Sequence, residues 1–221
     1  MKYYPICLRI ADRPCLVIGG GPIAEQKVRS LLAAGANVTV VSPALTPGLA
    51  AWARTGRIAH VPRDYRRGDL AGATLVYAAT DDEELHAQVA RDAHDAGILV
   101  NVVDRPHLCD FIVPSILAQG DLLVAVSTSG ASPALATRIR RDLETSFGPE
   151  YAIALTVLRR LREQLGERGV SSAERQRIFT TLAASPLVEH LQHKRRLAVD
   201  RLLTDAVGWE VSLAELGVDL P

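Results

Sequence analysis

The sequence predicts an α/β protein: a parallel sheet flanked by helices, then a hairpin-plus-helix segment, then a small all-helical C-terminal domain. Three observations predict it. From residue 14 to about residue 103, short β-branched runs alternate with helix-length segments. The rhythm then changes to two strand-like runs separated only by Gly120 and Asp121. Beyond Gly148 and Pro149 the strand signals vanish.

Taken in order, "CLVIGG" reads as a strand, "IAEQKVRSLLAAG" as a helix, "NVTVVS" as a strand and "LTPGLAAWARTG" as a second helix. "ATLVYAAT" is the next strand. It leads into "DDEELHAQVARDAHDAG", a helix capped by Asp81 or Asp82, and then into the strand "ILVNVV". Strands this apolar are buried on both faces, which requires a parallel sheet with helices on each side. The runs "FIVPSILAQ" and "LLVAVSTS" have no room for a crossover helix between them, so they form a hairpin. An amphipathic helix follows from Pro133 to about Phe147. In the last third, Leu155, Leu158, Leu161 and Leu165 recur at helical spacing, and Ser171 with Glu174 makes a capping-box pattern. Pro186 opens a final helix expected to run to about Val207. The expected division is 1–110, 111–148 and 149–221.

Composition excludes several function classes. Lysine plus arginine equals aspartate plus glutamate at 25 each, so no overall field steers the chain toward nucleic acid or an anionic membrane. Apolar residues at 48% and charged residues at 23% describe a folded globular chain rather than a disordered one. Cys7, Cys15 and Cys109 are odd in number and lack metal spacing, so three free thiols are expected. The N-terminal "MKYYPICLRIADRPC" has no signal-type apolar core, and no run reaches the roughly 20 apolar residues of a membrane span, so a cytoplasmic location is expected.

"VIGGGPIAEQK" places Gly19, Gly21 and Ala24 in GxGxxA spacing between a strand and a helix, the dinucleotide-binding pattern of a Rossmann-like sheet. Gly19 permits the tight turn, Gly21 admits the pyrophosphate, Ala24 lets helix and strand pack, and the helix that starts at Pro22 offers amide donors from Ile23 onward. An acid normally ends the second strand and binds the ribose. Here that place reads "TVVSPA", with Ser42, Pro43 and Ala44 and neither an acid nor an arginine. The choice between NAD and NADP therefore stays open by residue type, and the motif's habit favours NAD.

Ligands on open sheets gather at the carboxyl ends of the strands, which adds Thr80 with Asp81, Asn101 with Asp104, and the serine-rich loop Ser127, Thr128, Ser129, Gly130 and Ser132. The hydroxyls and amides of that loop make an anion cradle. His107 and Cys109 are too few donors for a metal site, and none is expected.

Taken together, "CLVIGGGPIAEQK", "AATDD", "NVVDRPHLCDFIVPSI" and "LLVAVSTSGASPALATRIRRDLE" resemble the siroheme-synthase family of precorrin-2 dehydrogenases, some of which are also sirohydrochlorin ferrochelatases. The resemblance covers nearly the whole chain, although Gln26 stands where many relatives read Arg. It implies a homodimer, with 111–148 as the dimerisation segment, and NAD-dependent oxidation of precorrin-2 to sirohydrochlorin. It also implies Asp104 as the catalytic acid or base, and ferrous iron as a further substrate where the chelatase activity is present. Asp104 then takes one proton in an oxidation, several in a chelation, or both. The tetrapyrrole's carboxylates would call on the serine-rich loop, Arg105 and Arg138. The competing readings are a dehydrogenase without chelatase activity and a non-catalytic NAD-sensing module, which would need neither Asp104 nor the serine-rich loop.

Overall fold

The computed structural model describes residues 2 to 220, which form two compact units, Met1–Val113 and Pro114–Pro221.

In the first unit, β1 (Pro14–Ile18), β2 (Asn37–Val41), β3 (Ala59–Val61), β4 (Leu75–Ala78) and β5 (Leu99–Val102) form one sheet of order β3-β2-β1-β4-β5. Every neighbouring pair is parallel. Helices α1 (Pro22–Ala33), α2 (Pro47–Arg54) and α3 (Glu83–Asp95) supply the crossovers. The two-residue period of β1 sorts its side chains: Cys15 and Val17 join one core with Val28, Leu31 and Leu49, while Leu16 and Ile18 join the other with Val76, Val89 and Val100. The order in which strands are added reverses between β1 and β4, and at that switch point the strand ends open a crevice.

β3 is an element the sequence reading passed over. It has only three residues, none of them fully buried, and it lies at the sheet edge, so it carries no apolar run.

The second unit begins with the expected hairpin, β6 (Ser115–Gln119) against β7 (Leu122–Val126), antiparallel from Ser115↔Val126 to Gln119↔Leu122. Gly120 turns it at φ 57°, where a side chain would be strained and a Cβ would stand 2.9 Å from that of Ala152. α4 (Pro133–Glu144) begins at Ser132, whose hydroxyl accepts from the Leu135 amide at 3.2 Å. Then α5 (Glu150–Glu167), α6 (Ser172–Ala183), α7 (Leu187–Gln192) and α8 (Arg196–Val207) close around a core that includes Val157, Leu161, Leu165, Ile178, Leu182 and Leu203. Ser171 caps α6, accepting from the Glu174 amide at 3.2 Å.

The single helix expected from Pro186 to about Val207 is two helices. Lys194 takes φ 54°, and the Arg195 amide donates back to the His190 carbonyl at 2.8 Å. The break lets Leu187 and Leu191 enter the same core as Val199 and Leu203.

Candidate active site

The first unit contains a cleft of about 710 Å³ at the carboxyl ends of its strands, lined by residues that include Gly19, Gly20, Gly21, Ser42, Thr80 and Asp104. Its floor is the turn between β1 and α1. Gly19 sits at φ 115°, and a Cβ there would lie 2.1 Å from the Ala79 carbonyl oxygen, so only glycine fits on both counts. Gly20 is as demanding: a Cβ would fall 1.8 Å from the Ala44 carbonyl. Gly21, at the N-cap of α1 with φ −83°, has open space around the missing Cβ. A backbone pressed against its neighbours at two glycines and bare at the third, at the start of a helix, has the shape that can cradle a pyrophosphate. Ala24 is fully buried between helix and sheet, as its packing role requires.

The β2 end is tied to this floor. The Thr46 amide donates to the Gly20 carbonyl at 2.9 Å, and the Thr46 hydroxyl donates to Glu25 on α1. Ser42 is buried, and its hydroxyl donates to the Ala44 carbonyl at 2.7 Å. Ser42 and Pro43 line the cleft, while Ala44 serves through that carbonyl.

On the β4 side, the Thr80 hydroxyl accepts from the Asp82 amide at 2.9 Å, and Asp82 rather than Asp81 caps α3, accepting from the Leu85 amide at 3.0 Å. One turn on, His86 also lines the cleft. It is 6% exposed, and neither ring nitrogen has a hydrogen-bond partner. Burial first, and the Arg105 guanidinium second, push its pKa below the usual imidazole range, so it is neutral near pH 7. Sequence reasoning missed this residue because a histidine on an amphipathic helix looks like surface.

At the end of β5 the chain turns through Asp104 at φ 58°, a left-handed conformation that few residues other than glycine, aspartate and asparagine adopt. Asp104 is exposed and lines the cleft, and no described side chain or amide donates to its carboxylate. Arg105 donates to the Asp104 carbonyl at 3.1 Å and pairs with Glu83. Asn101 does not line the cleft; its amide donates to the Phe111 carbonyl at 2.9 Å and fastens the outgoing chain to β5. The Cys109 thiol is 3.2 Å from the backbone of Val102.

The remaining expected residues belong to the second unit. In the serine-rich loop, the Ser127 hydroxyl accepts from the Ser129 amide at 3.1 Å and the Thr128 hydroxyl from the Ser132 amide at 3.0 Å, with Ser129 at φ 54° and Gly130 at φ 88°. The loop's hydroxyls thus hold its own shape. Arg138 is exposed, 3.9 Å from Asp142. Cys7, Cys15 and Cys109 are free thiols. Among the described residues, no helix is long and apolar enough to cross a membrane, and no group of three or more His, Cys, Asp or Glu is placed to hold a metal ion.

Comparison with known proteins points to one family. Residues 6–115 match the family model described as putative NAD(P)-binding, and residues 119–146 match that of the sirohaem biosynthesis protein central region. The chain is 47% identical over 179 residues to a siroheme synthase of Methylobacillus flagellatus, covering 81% of this chain and 38% of that protein. It is 40% identical over 207 residues to the siroheme synthase of Thioalkalivibrio sulfidiphilus, covering 94% of this chain and 42% of that one. It thus spans about two fifths of the length of these curated relatives. Among solved structures, "SirC, precorrin-2 dehydrogenase" superposes with a TM-score of 0.74 at 25% identity, covering 94% of this chain and all of that one.

Proposed function

The chain belongs to the siroheme-synthase family, and from that premise we propose that it oxidises precorrin-2 to sirohydrochlorin with NAD as the hydride acceptor. One observation carries the reading beyond family membership: the glycine cradle and the Asp104 carboxylate face the same cleft. Bound NAD supplies an acceptor for two electrons and one hydrogen at its nicotinamide, and one proton is left to be removed from the substrate. The amides at the start of α1 meet the pyrophosphate, helped by the partial positive charge of the helix end.

Asp104 is the base that takes the proton. The carboxylate is exposed, and the apolar face of the bound macrocycle would cover it and exclude water from it. The left-handed turn fixes where that carboxylate stands. Arg105, Arg138, Ser127, Thr128, Ser129, Gly130 and Ser132 are our proposed contacts for the substrate's carboxylates, on the ground that these need cationic or N–H and O–H donors. The same Asp104 would accept pyrrole protons if ferrous iron is inserted as a second substrate.

The exposed apolar side chains Ile116 and Leu123 on the hairpin and Leu135 and Ile139 on α4 support a homodimer formed through 111–148, and we place the enzyme in the cytoplasm.

The test is to mix the protein with NAD and precorrin-2 and follow the sirohydrochlorin spectrum together with NADH. Asp104→Ala should lower turnover by at least about a hundredfold, in line with loss of a general base, with NAD affinity nearly unchanged. Unchanged turnover removes Asp104 from the mechanism, and no NADH from the wild type removes the dehydrogenase reading.

A further inference from the structure

The acid that usually ends the second strand of a dinucleotide site is absent here, and the sheet brings another into its place. β3 lies beside β2 in the register Val41↔Val61, and the Ser42 amide donates to the Val61 carbonyl at 3.2 Å. The chain leaving β3 therefore runs alongside the chain leaving β2. Asp64, three residues beyond β3, lines the same cleft as Ser42 and Gly20.

The neighbouring charges favour a ribose hydroxyl over a phosphate. The Arg63 guanidinium is held by both carboxylate oxygens of Asp69, at 2.8 and 2.6 Å. Arg67 lies 3.7 Å from Asp92 and 3.0 Å from Asp95. Arg66 does not line the cleft. The Ser42 hydroxyl donates its one hydrogen bond to the Ala44 carbonyl, so toward a ligand it is an acceptor. Among the lining residues Arg105 is the one Lys or Arg, and it pairs with Glu83, while Asp64, Asp81, Asp82 and Asp104 are acidic. A pyrophosphate is answered by the helix start, but among the described residues that line the cleft no Lys or Arg stands at the β2–β3 end to answer a second phosphate group.

We infer that Asp64 is the acid the second strand lacks: its carboxylate accepts from the adenosine ribose hydroxyls and repels a 2′-phosphate, which makes it the determinant of NAD over NADP. This rests on the dinucleotide reading of the cleft. Two carboxylate oxygens match two ribose hydroxyls, whereas a phosphate beside an unneutralised carboxylate suffers repulsion and loses water without gaining a cation.

Equilibrium titration of NAD and NADP into wild type, Asp64→Asn and Asp64→Ala tests the assignment without requiring turnover. Wild type should bind NAD at least about ten times more tightly than NADP. Asp64→Asn should narrow that ratio by about tenfold, mainly through tighter NADP binding, with a larger change at low salt because the group is exposed. The acid lies on the surface, so both variants should unfold with the wild-type midpoint. A ratio that does not move in either variant, or a wild type that takes both dinucleotides equally, overturns the role of Asp64 alone. A wild type that binds neither overturns it together with the dinucleotide reading.

Discussion

Two glycines of the β1–α1 turn should fail in opposite ways when each is given a methyl group. In Gly19→Ala, the backbone at φ 115° becomes strained for an L residue, costing about 1–3 kcal/mol. The new Cβ also meets the Ala79 carbonyl oxygen at 2.1 Å, which forces β1 and β4 to shift for about another 1–3 kcal/mol of overpacking. A loss of about 2–6 kcal/mol follows, a large share of a typical stability of about 5–15 kcal/mol. Gly21→Ala has neither difficulty: its φ is −83° and nothing lies within 4 Å of the added carbon. The weaker N-cap and the reduced freedom of the unfolded chain roughly cancel, leaving stability within about 1 kcal/mol of wild type. The methyl would stand where the pyrophosphate approaches, so NAD affinity should fall by at least about tenfold. Urea unfolding and NAD titration on the two variants separate these effects. If Gly21→Ala binds NAD like wild type, the pyrophosphate does not rest on the start of α1; if Gly19→Ala melts like wild type, the close approach to Ala79 is not a constraint.

Leu161→Ala, at a fully buried position of α5, should lower stability by about 2–5 kcal/mol through the cavity it leaves, read as an earlier transition in thermal unfolding. His86 resists protonation in the folded state, mainly through burial, while the unfolded chain protonates it near pH 6.5. Its depressed pKa therefore costs nothing above about pH 6.5 and lowers stability as pH falls below it. His86→Gln should flatten this part of the acid slope in urea midpoints measured from about pH 7.5 down to about pH 5, and an unaltered slope would refute the assignment. Leu123→Lys, on the exposed face of the hairpin, should yield a monomer in sedimentation if the dimer forms there, and an unchanged dimer would move the interface elsewhere.

The order of strands and helices was legible because the sheet is buried on both sides, which leaves continuous apolar runs such as "LVIGG" and "LVYAA" separated by amphipathic helices. The hairpin was legible from its short Gly120–Asp121 connection. β3 was not, since an edge strand of three residues leaves no periodic signature. The break at Lys194 was hidden because "LQHKRR" contains neither glycine nor proline, and only the shared core of α7 and α8 requires it. In the site, spacing pointed to Gly19, Gly21 and Ala24, but the close approach at Gly20 and the place of Asp64 in the cleft come from chain segments adjacent in space and distant in sequence. His86 is a further case, since its isolation from hydrogen-bond partners exists only once α3 is packed.

The left-handed turn at Asp104 has a consequence for evolving or engineering this protein. At φ 58° the backbone alone prefers glycine, with asparagine a close substitute for the aspartate. A library sorted for expression or melting temperature would therefore drift at this codon toward residues that fold as well or better and have lost the acid. With Asp104 as the proposed base, foldability and chemistry pull in different directions at position 104, so any stabilisation campaign needs an activity screen running beside it.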